Sequence, residues 1–162
     1  MLKYNLVSWV NFMNKKTFNI VSLNVSEKVG TIKKPVDKIT LVENKGVLKD
    51  GHFDRAKDRQ VSALAIEDIE YSNKKMNLKL KPGDFAENIT TKGIELFTLP
   101  LGTNIYIGDA ILKVSKIGKE CHKGCDIKKL VGECIMPQRG IFLSVVKGGE
   151  ITVEDTCYYD FG

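Results

Sequence analysis

Two cysteines and a histidine lie close together in one short stretch of the sequence, Gly118–Ile127. Cys121 and Cys125 are four residues apart, and His122 directly follows the first of them. A cysteine acts as a nucleophile in its thiolate form, and neighbouring cations favour that form. Lys119 and His122 supply such cations on either side of Cys121. The stretch therefore predicts a reactive thiol, with Cys121 as the first candidate.

Other interpretations of the same cysteines stay open. A lone cysteine is more often a small buried apolar residue than a catalyst. A structural zinc site could use Cys121, His122, Cys125 and Cys134. The spacing lacks the paired C-x2-C units of a zinc ribbon, and adjacent residues of a strand point apart, so a single tetrahedral site is awkward. A disulfide is disfavoured, because the sequence carries no secretion signal.

Composition narrows the classes of function. A chain of 162 residues with 43% hydrophobic and 28% charged residues predicts one globular domain. Four irregularly spaced cysteines without a secretion signal indicate reduced thiols and a cytoplasmic protein. The net charge of +5 comes from lysines that are scattered along the sequence, and this scatter argues against a nucleic-acid-binding surface. The positive charge remains compatible with binding of a small anionic ligand. No apolar run reaches the roughly 20 residues that a membrane span needs.

The elements that must position these residues are mostly strands. Short β-favouring runs recur between turns, and they predict a mainly β barrel or sandwich with one principal helix. Gly108–Asp109 is a residue pair typical of a two-residue hairpin turn, and the second arm of this hairpin leads directly to Gly118. Residues 1–12 precede the first strand and are interpreted as an extension, with a single domain over 13–162. The predicted strands are Thr17–Val25, Val36–Val42, Val61–Leu64, Phe85–Thr91, the two arms of the hairpin, Ile141–Val146 and Glu150–Val153, and the predicted helix is Ala65–Met76.

Several segments taken together resemble the MOSC family, which includes the C-terminal domain of molybdenum cofactor sulfurases and small stand-alone bacterial proteins. The resemblance implies a β-barrel with one principal helix and short helical turns. It also implies a cysteine-centred pocket that binds a molybdenum–pterin cofactor, carries sulfane sulfur for cofactor sulfuration, or does both. The segments are Asp50-Gly-His52, Arg59-Gln-Val-Ser62, Pro82 to Thr91, Leu99-Pro-x-Gly102, Ile117 to His122 with Cys125, and Met136 to Phe142.

The resemblance also assigns roles to residues. The signature cysteine corresponds best to Cys121, with Cys125 and Cys134 as alternatives, and the Cys121 thiolate is also a possible molybdenum ligand. An anionic pterin phosphate would need cations and polar groups. The candidates for that binding are His52, Arg59, Asp84, Glu87, Asn88, Lys119, His122 and Arg139. Turn formation and capping remain the alternative role for the residues of the 82–91 segment.

The resemblance bears on partners as well. In cofactor sulfurases the sulfur comes from a pyridoxal-phosphate desulfurase domain, which this chain is too short to contain, so no pyridoxal phosphate is expected on it. A separate cysteine desulfurase would supply sulfur, and a molybdoenzyme would be the acceptor. The chain would then be a sulfur transferase, a carrier, or a component of a molybdenum-cofactor enzyme. The alternative is a non-enzymatic binding module with structural zinc. We also expect Arg59 and the loop around His52 to face the same pocket as Cys121.

Overall fold

The computed structural model describes residues 15–118 and 135–160, and it is mainly β. Short strands alternate with turns, and one helix is longer than a single turn in this part of the chain. No helix in the described ranges is long and apolar enough to cross a membrane. In chain order the elements are β1 Lys16–Val25, β2 Lys34–Val36, β3 Lys38–Val42, β4 Gly46–Val47, β5 Val61–Ala65, α1 Ile66–Met76, β6 Ile89–Lys92, a 3-10 helix Leu96–Thr98, β7 Asn104–Ile107, β8 Ala110–Ile117, α2 Met136–Arg139, β9 Ile141–Lys147, β10 Gly149–Thr152 and β11 Cys157–Asp160.

Seven strands close into a barrel. They pair in the order β11-β7-β8-β9-β5-β6-β1, and β1 pairs again with β11 to complete the ring. The pairing is antiparallel except between β5 and β6, which run parallel because α1 connects them as a crossover. β2 extends the sheet beyond β1, and β10, β3 and β4 form a smaller second sheet. Closure leaves no free edge in the ring itself.

Strand β5 shows how the sequence builds two layers. Val61 and Ala63 face the barrel interior, whereas the intervening side chains alternate outward. Leu64 instead joins a second cluster with Ile69 of α1 and Phe142 of β9. Every residue of β5 is buried, because one face lines the barrel and the other lies beneath the helix. Acidic residues in the first turn of α1 and lysines in its last turn complement the helix dipole.

The predicted fold class is confirmed, and the strands β1, β5 and β9, the hairpin of β7 and β8, and helix α1 lie where they were expected. The single strand predicted over Val36–Val42 is wrong. The first strand ends at Val36, and Lys38–Val42 forms a separate strand of the second sheet. Of the predicted strand Phe85–Thr91, only the part from Ile89 onward is β. The segment Met136–Arg139, for which no strand was predicted, forms one helical turn.

The C-terminal tail forms a strand for which the sequence predicted no element. In the structure Cys157 opens β11, the strand that closes the barrel against both β1 and β7. Its side chain is buried, with an exposed fraction of 2%. A short helical turn predicted over Asp126–Val131 lies outside the described residues.

Candidate functional site

The predicted cysteine segment is described only at its two ends. Residues 119–134 lie outside the described ranges. Those residues include Cys121, Cys125, Cys134, Lys119 and His122. Their proposed roles in sulfur or molybdenum chemistry, and the alternative zinc site, therefore stay predictions. Among the described residues, no group of three or more histidine, cysteine or acidic side chains could hold a metal ion.

The two ends of the segment meet. The backbone N–H of Gly118, at the end of β8, donates a 2.8 Å hydrogen bond to the carbonyl of Gly140, which precedes β9. Gly118 adopts a φ of +75°, and a Cβ there would clash with the carbonyl oxygen of Pro137. Only glycine allows α2 to lie this close to the end of β8. The chain therefore leaves the barrel wall at Gly118 and returns to the same place.

A groove of about 650 Å³ opens beside this point. Arg139, one residue before Gly140, reaches into it from α2. The first turn of α1, the segment from Gly93 to Leu99, and the paired residues Lys16 and Tyr159 form the rest of its lining. The volume lies within the usual range for small-molecule sites. Of the sequence-predicted binding residues that the structure describes, Arg139 is the one that lines this groove.

Arg139 is held by an aromatic ring and a carboxylate. Its guanidinium carbon lies 4.2 Å from the centre of the Phe97 ring, and its Nε lies 3.9 Å from Oδ1 of Asp68. Burial raises the pKa of Asp68, and the carboxylates of Glu67 and Glu95 raise it further against the opposing charge of Arg139. The Arg139 side chain remains 40% exposed, so it can meet a ligand in the groove.

His52 belongs to a different cluster, built around a buried ion pair. Nζ of Lys33 lies 2.8 Å from Oδ1 of Asp50, and both side chains are at most 1% exposed. The lysine also donates to Oγ of Ser26, and its Nζ is 3.5 Å from Nδ1 of His52. The Asp50 carboxylate accepts from the backbone N–H groups of Ser26 and His52. Burial alone would raise the pKa of Asp50, but the bonds from His52 and Lys33 and the lysine charge outweigh it and hold the pKa well below its usual value.

Glu87 and Asn88 form a second buried polar network. The Glu87 carboxyl is fully buried, and its Oε1 accepts from the Gly83 N–H at 2.6 Å and from the Thr90 hydroxyl at 2.8 Å. Its Oε2 has no hydrogen-bond partner among the described residues. Burial raises the pKa of Glu87 to about 7 despite these bonds. The Asn88 side chain bridges strands, since Oδ1 accepts from the Ser62 N–H and Nδ2 donates to the Asn24 carbonyl.

The remaining predicted binding residues occupy turns. Asp84 accepts a hydrogen bond from the Lys81 N–H through Oδ2, so its carboxylate stabilises the turn before β6. Arg59 lies two residues before β5, where its backbone N–H donates to the Ala56 carbonyl. The expectation that Arg59 and His52 share a pocket with Cys121 stays a prediction, because Cys121 lies outside the described residues.

Sequence reasoning missed some residues that the structure makes important. Lys33 is one lysine among many in the sequence, and nothing local marks it as buried. Asp68 lies in the first turn of α1, and its position opposite Arg139 depends on how α1 and α2 pack. Phe97 lies in a stretch of sequence without a recognisable pattern. A half-buried aromatic next to two turns is a weak signal, and only the fold brings its ring beneath Arg139.

A comparison with protein families decides the identity. The family model described as the MOSC domain matches residues 50–158, which is more than half of the chain. The chain belongs to the MOSC domain family. The matched range begins at Asp50 of the buried ion pair and ends in β11, and it includes His52, Glu87, Asn88 and Arg139. A comparison with curated proteins finds no match.

Solved structures support the MOSC fold. YuaD from Bacillus subtilis superposes with a TM-score of 0.77 at 18% identity, covering 91% of this chain and 98% of that one. YiiM from Geobacillus stearothermophilus gives 0.69 at 21% identity, with 88% and 74% of the two chains covered. YiiM from Escherichia coli gives 0.67 at 19% identity, with 89% and 69% covered. At these identities the likeness shows the fold alone.

Proposed function

We propose that this MOSC protein binds a molybdenum–pterin cofactor, carries sulfane sulfur for it on a cysteine, or does both, with Cys121 as the sulfur-carrying thiol. Membership of the MOSC family supports the class of function. The observation that carries the proposal is the hydrogen bond between Gly118 and Gly140, which fixes the ends of the cysteine segment beside the Arg139 groove.

Chain connectivity supports the choice of cysteine. Cys121 follows Gly118 by three residues, and three residues span at most about 11 Å. Cys125 is seven residues away and can lie much farther from the groove. Lys119 and His122 flank Cys121 in the sequence and would favour its thiolate. Connectivity therefore favours Cys121 over Cys125, whereas Cys134, which directly precedes Ile135, stays an alternative.

The sulfur-transfer step is a thiol exchange. The Cys121 thiolate attacks the outer sulfur of a persulfide on a separate cysteine desulfurase. One S–S bond forms as another breaks, the desulfurase leaves as a thiolate, and Cys121 becomes a persulfide. The exchange involves no net oxidation, because the outer sulfur only changes its partner. The charge balances as well, because one thiolate is consumed and one is released.

The described residues fit an anionic cofactor in part. Arg139, half exposed and braced on Phe97, is suited to a phosphate oxygen. The groove lining also holds three carboxylates, Glu67, Asp68 and Glu95, against two cations, so its own charge does not favour an anion. Lys119 and His122 would have to complete the positive surroundings. The molybdenum of such a cofactor, when bound, supplies a soft metal centre that a thiolate can ligate.

The roles of the other candidate residues are narrower in this proposal. His52 presents Nδ1 to the buried ion pair, so its Nε2 is the nitrogen left to meet a ligand. Glu87 and Asn88 use their side chains on Gly83, Thr90, Ser62 and Asn24. We infer that these two act by holding the turn in place and that Arg139 touches the cofactor directly.

Mass spectrometry after incubation with a cysteine desulfurase and cysteine tests the proposal. The wild type is expected to gain one sulfur atom, Cys121→Ser to gain none, and Cys157→Ser to behave like the wild type. Cys157 is a suitable control, since burial raises the pKa of its thiol to about 12. A persulfide that survives Cys121→Ser and disappears in Cys125→Ser or Cys134→Ser would assign the sulfur-carrying role to that other cysteine. Tight zinc at one ion per chain would favour the binding-module alternative.

A further inference from the structure

Glu87 is not fully stabilised in either of its protonation states. Its Oε1 already accepts from the Gly83 N–H and the Thr90 hydroxyl, so the proton of the neutral form belongs on Oε2, which has no acceptor among the described residues. The ionised form would be a fully buried charge held only by backbone N–H groups and a hydroxyl. A buried donor without an acceptor and a buried charge without a counter-ion are both costly. The closed structure therefore satisfies neither form of this carboxyl.

Among the described residues, the elements packed around Glu87 present neutral groups to it. Strand β1 contributes the Asn24 amide, which donates to the Glu87 carbonyl, and β6 contributes a hydroxyl. Two charged residues belong to the turn itself. Lys81 is exposed, and the Asp84 carboxylate accepts from the Lys81 N–H. Lys33 reaches this turn through its backbone, because its ammonium lies in the ion-pair cluster.

Backbone strain marks the same two carboxyl groups that the ion pair and the neutral site contain. Five non-glycine residues adopt a positive φ in the described ranges, and three of them are Asn or Asp, which tolerate it. The other two are Lys49, with a φ of 68°, and Ala86, with a φ of 63°. Lys49 directly precedes Asp50, and Ala86 directly precedes Glu87. Strain of this kind is concentrated in binding sites and switch regions, where the backbone relaxes when it moves.

A set of hydrogen bonds joins Glu87 to the surface. The Gly83 N–H donates to Glu87 at 2.6 Å, and the Gly83 carbonyl accepts from the Lys33 N–H at 2.8 Å. Gly83 lies so close to the Lys33 carbonyl that no Cβ fits between them, so a movement of one backbone displaces the other. Lys33, Asp50 and His52 form the ion-pair cluster, and the His52 side chain is 26% exposed. The buried carboxyl is thus connected to a histidine at the surface.

We propose that the turn formed by residues 81–87 is a proton-dependent switch, which opens when Glu87 ionises and loosens the ion-pair cluster around His52. Phe85 is buried against the helix cluster of Leu64 and Ile69, so the movement is confined to the part of the turn before it. Lifting that part lets water reach the carboxylate and separates Gly83 from the Lys33 N–H. Because the pKa of Glu87 is raised to about 7, the change falls in the neutral range.

Hydrogen exchange at single backbone amides, followed by NMR in the full-length protein, measures the opening. Rates are divided by those of an unstructured chain, which removes the intrinsic pH dependence of exchange. The protection of the Gly83, Lys33 and His52 amides is expected to fall about tenfold from pH 6 to pH 8, because the pKa of Glu87 is about 7 in the closed turn and 4.5 in an ordinary carboxyl. Glu87→Gln keeps the side chain neutral and should abolish this fall. The matched control Glu95→Gln, at an exposed position, should retain it.

The Val114 N–H, which donates to the Thr103 carbonyl in the barrel, is the reference for global unfolding. A local opening exposes little surface, so low concentrations of urea should speed exchange at Val114 and leave the three reporter amides unchanged. This comparison uses the wild type alone, and it still decides the question if Glu87→Gln fails to fold.

Three results would overturn the inference. An equal fall in the wild type and in Glu87→Gln would mean that another group controls the opening. Reporter amides that follow Val114 in urea would mean that the turn opens only when the whole barrel unfolds. A fall at Gly83 without one at Lys33 and His52 would mean that the two clusters are not coupled. The readout needs neither a reactive cysteine nor a molybdenum cofactor, so its failure and the failure of the proposed function are distinguishable.

Discussion

Asp50 and Glu87 are two buried carboxyl groups in neighbouring clusters, and their pKa values are shifted in opposite directions. The pKa of Asp50 is held well below its usual value, so its side chain is an anion at any ordinary pH. The pKa of Glu87 is raised to about 7, so its side chain is largely protonated in mildly acidic solution. Both carboxylates accept backbone N–H bonds, and both are removed from water. Acceptance of backbone N–H bonds therefore does not by itself explain the difference.

The hydrogen bond from His52 and the Lys33 cation lower the pKa of Asp50, and Glu87 has no cation beside it among the described residues. Asp50 lies 2.8 Å from the Lys33 ammonium, whereas the partners of Glu87 are the neutral groups of Gly83 and Thr90. In a low-dielectric interior an unpaired charge is costly, and a carboxyl group without a cation takes up a proton instead. Gly83 connects the two clusters, because its carbonyl accepts from the Lys33 N–H while its own N–H donates to Glu87. One glycine turn thus separates an ionised site from a largely neutral one.

Removing the cation should have the largest effect. Lys33→Met leaves the Asp50 carboxylate buried without its partner, and we expect a loss of about 3–5 kcal/mol in the free energy of unfolding. Urea denaturation at pH 7 measures it. The exposed pair Lys38–Glu150, with a separation of 3.5 Å and side chains 63% and 54% exposed, is the matched control. Lys38→Met should change stability by less than about 0.5 kcal/mol. Equal losses in the two variants would show that Lys33 is not a buried partner.

The link between the clusters is the next target. Gly83 has a φ of +93°, and a Cβ there would clash with the Lys33 carbonyl oxygen. Gly83→Ala should cost about 2–4 kcal/mol, the sum of left-handed strain and overpacking. Gly102 has a φ of +87° with open space around it, so Gly102→Ala isolates the strain, at about 1 kcal/mol. Thermal midpoints of the two variants that agree within error would contradict the close approach of Gly83 to Lys33.

A pH dependence tests the neutral site. The pKa of Glu87 is about 7 in the folded chain against an ordinary value of 4.5. The folded state therefore binds the extra proton, and this stability is fully present below pH 4.5 and lost as the pH rises through 7. Between pH 5 and pH 8 the wild type should lose roughly 2 kcal/mol that Glu87→Gln does not lose. Urea midpoints of both proteins across this range give the answer. Parallel pH curves would mean that Glu87 is ionised throughout.

The contrast between local and non-local signals also explains what the sequence could predict. Helix α1 and the β7–β8 hairpin carry their own periodicity and turn residues, so they were predictable from short windows. β11 consists of four residues, and its identity as the closing strand depends on pairing with β1, far away in the sequence. The end of β2 at Val36 likewise could not be predicted locally, because Lys38–Val42 pairs with β10 of the second sheet and not with the barrel.

The candidate site divides in the same way. Asp50, His52, Glu87 and Asn88 lie in segments that resemble family motifs, and the sequence drew attention to them for that reason. Their actual partners could not be derived, because Lys33 and Gly83 come close to them only through the turns between strands. Burial of a charge is a tertiary property. A lysine in a polar loop looks the same in sequence whether it ends in water or beside a buried carboxylate.

The reactivity of the thiols tests the central claim most directly, namely that the segment between Gly118 and Gly140 carries a thiolate beside the groove. Site-resolved alkylation with limiting iodoacetamide is measured from pH 5 to pH 9 on the intact protein. We expect Cys121 to react first, at a lower pH than free cysteine with its pKa near 8.5. Cys157, buried in the barrel wall with its pKa raised to about 12, should react only when the protein unfolds. Cys121 that reacts no faster than free cysteine would contradict the account.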